Sequence, residues 1–262
     1  MSISPKALQI VCEQAARAGA VELRAWQGRF QTRQKARRDL VTDADLASEQ
    51  AVRDVVQAAY PEHGILGEES PDPTQLDREY CWVVDPLDGT VNYAHGLPCY
   101  AVSVAVAGHG KLLAGAIYDP EREECFAAAA GVGAWLNGQP VTVSRAKELE
   151  ESLVAVSFPT IVTPEAPDVR AFLKVSPVCQ AVRRTGSAAL NLAYVACGRL
   201  DAHWAHEIHP WDSAAGVLLV REAGGVATGS GGQPYDLASG DYLAAATPEL
   251  HRALKPLVTA PE

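Results

Sequence analysis

The chain of 262 residues is 48% hydrophobic and 21% charged, enough apolar material for a sizeable core in one domain or two tightly joined halves. A formal net charge of −10 argues against nucleic-acid binding driven by a general basic field, but not against an anionic substrate at a locally neutralised site. The six cysteines (Cys12, Cys81, Cys99, Cys125, Cys179 and Cys197) are scattered without a Cys-x-x-Cys pair and read as reduced thiols of a cytoplasmic protein.

The first segment is expected to form an amphipathic helix, with Ser4 as N-cap and Pro5 at the first helical position. It lacks the continuous apolar core of a signal peptide, and no later stretch approaches membrane-spanning length, so a soluble protein is expected. The basic run from Arg33 to Arg38 reads as a solvated turn. A helix is predicted over 43–59, stopping before Pro61, and a short strand over 63–66 opens into Gly67-Glu68-Glu69-Ser70. A Pro- and Asp-rich loop over 70–77 then leads to an apolar strand ending at Asp85. Strands over 101–106, 112–118 and 124–130, with turn signals at 108–110 and Asn137-Gly138, read as an antiparallel meander. Beyond about residue 146 strands alternate with helices, the clearest over 187–197 and 212–223, the second closed by Gly224-Gly225. A single domain over 1–262 with halves 1–145 and 146–262 is the expected organisation.

Chemistry concentrates in the turn Asp85-Pro86-Leu87-Asp88-Gly89-Thr90. Two carboxylates this close behind a buried strand repel each other, and a hard divalent cation with oxygen ligands relieves that cost. Distant acidic companions are Glu68-Glu69, readable also as an exposed acidic turn, and Asp212, readable also as an ordinary helix cap. His203, His206 and His209 recur at a spacing of three, which could suggest zinc but lacks the HExxH pattern and fits a structural role. The run from Gly229 to Gly232 lacks the Lys-Ser/Thr ending of a phosphate loop and reads as a turn. No Gly-x-Ser-x-Gly element supports a serine hydrolase.

Five segments together resemble the inositol monophosphatase family: DLVTDAD from Asp39, GEES from Gly67, WVVDPLDGTVNY from Trp82, RTGSAA from Arg184 and WDSAAG from Trp211. The resemblance implies an α+β, or α/β, fold layered as an αβαβα sandwich of the inositol monophosphatase and fructose-1,6-bisphosphatase type. It also implies two or three Mg2+ ions, lithium sensitivity, a homodimer, and hydrolysis of a phosphate monoester. Carried over by position, Glu68, Asp85 and the Leu87 carbonyl would hold one ion. Asp85, Asp88 and Asp212 would hold a second, and Glu68 would reach a third through water. Thr90 and Asp45 would orient the attacking water. The phosphate and the rest of the substrate would meet Asp88, Gly89, Thr90, Ser187 and Ala188.

The aspartates of the turn are three positions apart. In the haloacid dehalogenase type of phosphatase, whose strand-end aspartate attacks phosphorus covalently, the two are two apart, so metal-activated water is the favoured mechanism. One position departs from the inositol-binding pattern. Where the family commonly carries a glutamate contacting ring hydroxyls, seven residues before Asp212, this chain has Ala205. Glu207 would substitute only if its loop bends, since a two-residue offset along a strand moves a side chain by roughly 6 Å. Loss of that contact and relaxed selectivity among sugar and polyol monophosphates, inositol 1-phosphate included, are therefore expected. Relatives acting on 3′-phosphoadenosine 5′-phosphate, fructose 1,6-bisphosphate or histidinol phosphate define enzymatic alternatives. A binding partner of the transcription or translation machinery is the non-enzymatic one. No nucleic-acid or membrane partner is expected.

Overall fold

The structure, a computed structural model, describes residues 3–36 and 39–259. Helix α1 (Pro5–Trp26) begins as expected, the Ser4 side chain accepting the Ala7 N–H, and buries Leu8, Cys12, Ala15, Ala16 and Leu23 along one face. The basic segment that follows departs from the expected turn. It forms β1 (Thr32–Ala36), paired antiparallel with β2 (Asp39–Thr42), while Arg37 and Arg38 lie outside the described residues. Exposed Arg33 is compatible with a two-stranded ribbon because charge on an edge strand discourages further pairing; its guanidinium meets Asp43 at 2.9 Å.

Helix α2 (Asp43–Ala59) starts at a capping box in which Thr42 and Asp45 satisfy each other's backbone donors. Then come β3 (Gly64–Gly67), a single 3-10 turn at Pro73–Asp77, and β4 (Tyr80–Asp88). β4 runs past the expected end at Asp85 because a bulge between Asp85 and Asp88 absorbs Pro86, which has no N–H to give the ladder. A short helix, α3 (Thr90–Ala94), follows and was not expected. β5 (Ala101–Gly108), β6 (Lys111–Asp119), β7 (Glu124–Ala129), β8 (Gly133–Leu136) and β9 (Gln139–Pro140) complete a seven-stranded sheet in chain order from β3. β3 and β4 are parallel, and the rest is the antiparallel meander read from the sequence.

The second sheet is assembled from β10 (Leu153–Val156), β11 (Ala181–Arg183), β12 (Ala202–Ala205), β13 (Val226–Thr228) and β14 (Tyr242–Ala245), in the order β11-β10-β12-β14-β13. Between these strands lie α4 (Pro167–Val175), α5 (Ala188–Ala196) and α6 (Pro210–Glu222), and α7 (Pro248–Val258) ends the described chain.

Strand parity explains the layers. Trp82, Val84, Val102, Val104 and Val106 point to the face covered by α1 and α2, whereas Val83, Ala101, Ala105 and Ile117 point to the face covered by α5 and α6. A sheet buried on both faces needs near-continuous apolar strands, which β4 and β5 have. The second sheet packs on the far side of α5 and α6 and is covered by α4 and α7. The result is the αβαβα sandwich, with α5 and α6 as its shared central layer. Among the described residues no helix is long and apolar enough to cross a membrane.

Candidate active site

The C-terminal end of β4 delivers Asp85 and Asp88 to the N-terminal ends of α5 and α6. Asp85 is 1% exposed, and its Oδ1 accepts the Leu87 N–H at 2.9 Å, which tightens the turn. Asp88 lies against the start of α5. Its carboxylate accepts the Ala189 N–H at 2.7 Å, the Ala188 N–H at 3.3 Å and the Ser187 hydroxyl, so unsatisfied helix-terminal amides hold one metal-type ligand. Gly89 then adopts a φ of +98°, and a Cβ there would lie 2.9 Å from the Cys99 carbonyl. Only glycine fits that turn.

Asp212 arrives from α6. It is the third residue of that helix rather than its N-cap: Oδ2 accepts the His209 N–H at 2.8 Å, leaving the other oxygen for the cleft. Ligand oxygens of Asp85, Asp88 and Asp212 all lie within 4.8 Å of one another. Burial pushes all three carboxyl groups up, Asp88 to about 6; the charges of Glu68, Asp88 and Asp212 add to the rise at Asp85, while Ser187 and the α5 amides partly offset it at Asp88. Three clustered carboxylates that resist ionisation in one another's company fit a divalent cation, whose charge reverses that penalty.

Glu68 follows β3 and is close enough for its charge to act on Asp85, Asp88 and Asp212. Its turn is pinned by a residue the sequence reading missed. Buried Glu49 accepts the Glu69 N–H at 2.9 Å and the Ser70 hydroxyl, and pairs with Arg53 at 3.0 Å. The (i, i+4) spacing of Glu49 and Arg53 was a visible signal, but it reads as a surface pair until β3 is laid over the helix.

The Thr90 and Asp45 side chains meet as the resemblance implied. Thr90 Oγ1 lies 3.2 Å from Asp45 Oδ1 and 3.0 Å from the Leu87 carbonyl. The other Asp45 oxygen accepts both the N–H and the hydroxyl of Thr42, at 2.8 and 2.6 Å, which fixes the carboxylate through the α2 cap. Gly89 and Thr90 line a cleft shared with Arg184 and Gly186.

Beside the acidic cluster opens a cavity of about 210 Å³ walled by Asp88, Ser157, Arg184, Glu207, His209 and Asp212. Ala188 lines it. Ser187 is fully buried, and its hydroxyl is committed to Asp88. Ala205 is fully buried in β12, whereas Glu207 reaches the cavity wall because the chain leaves the strand after Ala205 and turns at Glu207 with a φ of +51°.

The three histidines diverge. His203 bridges Tyr242 and Ser157 at 2.9 and 3.1 Å, burial pushing its pKa down to about 3; His206 bonds Asp168; His209 stacks on Trp211 with centroids 4.7 Å apart. Among the described residues the acidic trio is the one cluster arranged for a metal. The segment at Gly229 is a turn, its Gly229 carbonyl accepting the Gly232 N–H at 2.8 Å.

A layered αβαβα fold with clustered carboxylates where strand and helix ends meet, beside a braced Thr–Asp pair, defines the class of metal-dependent phosphoric monoester hydrolases. The model of the inositol monophosphatase family matches residues 5–260. An inositol-1-monophosphatase of a Synechocystis strain is 39% identical over 255 residues, covering 97% of this chain and 88% of that protein. The Nus factor SuhB of Salmonella typhimurium is 44% identical over 204 residues, 77% of this chain and 76% of that one. The crystal structure of extragenic suppressor protein suhB from Bartonella henselae superposes with a TM-score of 0.91 at 34% identity, covering 98% and 100% of the two chains. The chain therefore belongs to the inositol monophosphatase family and is a phosphoric monoester hydrolase.

Proposed function

We propose that the chain hydrolyses phosphate monoesters of sugars or polyols with Mg2+, two or three ions being held by Glu68, Asp85, the Leu87 carbonyl, Asp88 and Asp212. The observation that carries this reading is the convergence of Asp85, Asp88 and Asp212 within 4.8 Å beside the Thr90–Asp45 pair. Bound there, the ions supply Lewis-acid activation of water and neutralise phosphate charge. Thr90, held by Asp45, accepts a hydrogen bond from the attacking water and so orients it. The Gly89 and Thr90 amides at the start of α3 help to hold the phosphate, and Asp88 lines the cavity for the rest of the substrate. The leaving group occupies the cavity of Arg184, Ala188 and Glu207, with Ser187 contributing by holding Asp88. No side chain becomes phosphorylated.

A homodimer in the cytoplasm is part of the same proposal; the six cysteines are all free thiols, which suits a reducing compartment. The test is Mg2+-dependent phosphate release across inositol 1-phosphate, glycerol phosphates, fructose 1,6-bisphosphate, histidinol phosphate and 3′-phosphoadenosine 5′-phosphate, with and without lithium. Fastest release from sugar and polyol monophosphates, lost in chelator and depressed by lithium, is the expected result. A single strongly preferred nucleotide or histidinol ester would overturn the substrate class.

Similarity to a Nus factor favours a second reading, in which the chain binds the transcription machinery. Asp88→Asn separates the two: a cellular role that survives this change in a folded protein belongs to the binding surface, one that disappears to catalysis.

A further inference from the structure

Glu207 is an unusual residue to find in left-handed backbone, since a β-carbon makes that conformation costly and the side chain is neither glycine nor asparagine. Something must hold it there, and three fixed points surround it. Asp168, on the first turn of α4, is fully buried and grips the preceding residue twice: its carboxylate accepts the His206 N–H at 3.2 and 3.3 Å and the His206 Nδ1–H at 2.7 Å. His206 is 5% exposed, and its Nε2 is buried without a hydrogen-bond partner, so the ring's polar contact is Asp168. On the other side, Gly240, at a φ of +70°, lies so close that a Cβ would come within 2.4 Å of the Ile208 carbonyl. One residue further on, the His209 N–H is tied to Asp212.

We propose that Asp168 and His206 are positioning residues that aim Glu207 at the hydroxyl groups of the leaving group, supplying from a bent loop the carboxylate that Ala205 cannot offer. This rests on the reading of Glu207 as a substrate contact. Among the described residues no hydrogen bond joins the pair to Asp85, Asp88 or Asp212: Asp168 lies on α4, and its effect reaches the cavity through the backbone of residues 206 and 207. A carboxylate can accept two vicinal hydroxyls at once, so a polyol gains from correct aim and an aryl leaving group without hydroxyls gains nothing.

The experiment compares inositol 1-phosphate with p-nitrophenyl phosphate at saturating Mg2+. Asp168→Ala and His206→Leu are expected to raise KM for inositol 1-phosphate about tenfold, the worth of about one hydrogen bond to a charged group, with kcat nearly unchanged. Both are expected to leave p-nitrophenyl phosphate hydrolysis within twofold of wild type. His206→Asn, whose amide nitrogen takes the place of Nδ1, should restore most of the affinity. Combining Asp168→Ala with Glu207→Gln should raise KM no further than Glu207→Gln alone, because both remove one contact. Equal losses on both substrates, or additive effects in the double variant, would overturn the proposal and leave the pair a merely structural brace. If Glu207→Gln itself leaves the inositol 1-phosphate KM unchanged, the reading of Glu207 fails first. If it raises KM while the Asp168 and His206 variants do not, the positioning inference alone fails.

Discussion

At one end of the cleft, Asp85, Asp88 and Asp212 stand on a strand end and a helix start, their oxygens fixed by backbone N–H groups of Leu87, Ala188, Ala189 and His209. At the other end, Glu207 stands on a short loop between β12 and α6, held by a carboxylate from α4 and a glycine from beyond β13. Both ends present carboxylates to one cavity. They differ in what supports them: regular elements with satisfied termini at the acidic end, contacts from distant segments at the other. The first arrangement suits groups that must keep a fixed separation, the second a surface that can be re-aimed by changing a few residues.

The largest effect should come from the acidic end. Asp85→Asn removes the central carboxylate of the trio, and turnover of every phosphate ester is expected to fall by on the order of 10³-fold, whatever the leaving group. That uniformity is the point of contrast with Glu207, whose loss should be felt by hydroxyl-bearing substrates. Steady-state kinetics on inositol 1-phosphate and p-nitrophenyl phosphate checks it, and a loss confined to one of them would erase the distinction between the two ends.

A smaller effect concerns stability. In the metal-free protein, burial raises the carboxyl pKa values of Asp85, Asp88 and Asp212, Asp88 to about 6 from 3.8. Between those values the folded state holds protons that the unfolded chain releases, so the cluster's contribution is most favourable below about pH 4 and is lost as pH rises through 6 and beyond. In chelator, wild-type Tm should therefore fall relative to Asp85→Asn by about 5 °C on going from pH 5 to pH 7.5, and Mg2+ should return most of it at the higher pH. Parallel curves for the two proteins would mean that the cluster is not strained by its own charge.

Legibility follows the same division. The Thr90–Asp45 pair has no local signal, and its legibility rests on the family resemblance alone; Asp85, Asp88 and Asp212 carry local signals, because strand ends and helix starts do. Even there the sequence read Asp212 as an N-cap candidate and ended β4 three residues early, since a bulge around Pro86 has no local signature. Glu49 was invisible as a support for Glu68 because its partners, Glu69 and Ser70, come from another element. The basic segment of β1 reads as a solvated turn because its charge suggests solvent, while its pairing with Leu40 and Val41 leaves no mark on the local sequence. Asp168 and His206 are 38 positions apart, and nothing in the sequence joins them. The two-residue offset of Glu207 was judged on strand geometry, but β12 has already ended at Ala205.

The smallest predicted effect isolates that bend. Glu207→Gly and Glu207→Ala both delete the carboxylate, so they should weaken inositol 1-phosphate binding alike, yet they treat the backbone differently. In an ordinary helix or strand interior alanine is the more stable by roughly 0.5–1 kcal/mol, because glycine has more freedom to lose. At a φ of +51° the order reverses: alanine keeps the clash of its β-carbon, about 1 kcal/mol or more, and glycine does not. Glu207→Gly should thus melt about 2 °C above Glu207→Ala. If alanine proves the more stable, residue 207 is not held left-handed in solution, and the brace from Asp168 has no strained residue to hold. If glycine does, the loop carries its strain for the sake of the side chain it presents, and stability at this end of the cleft has been traded for aim.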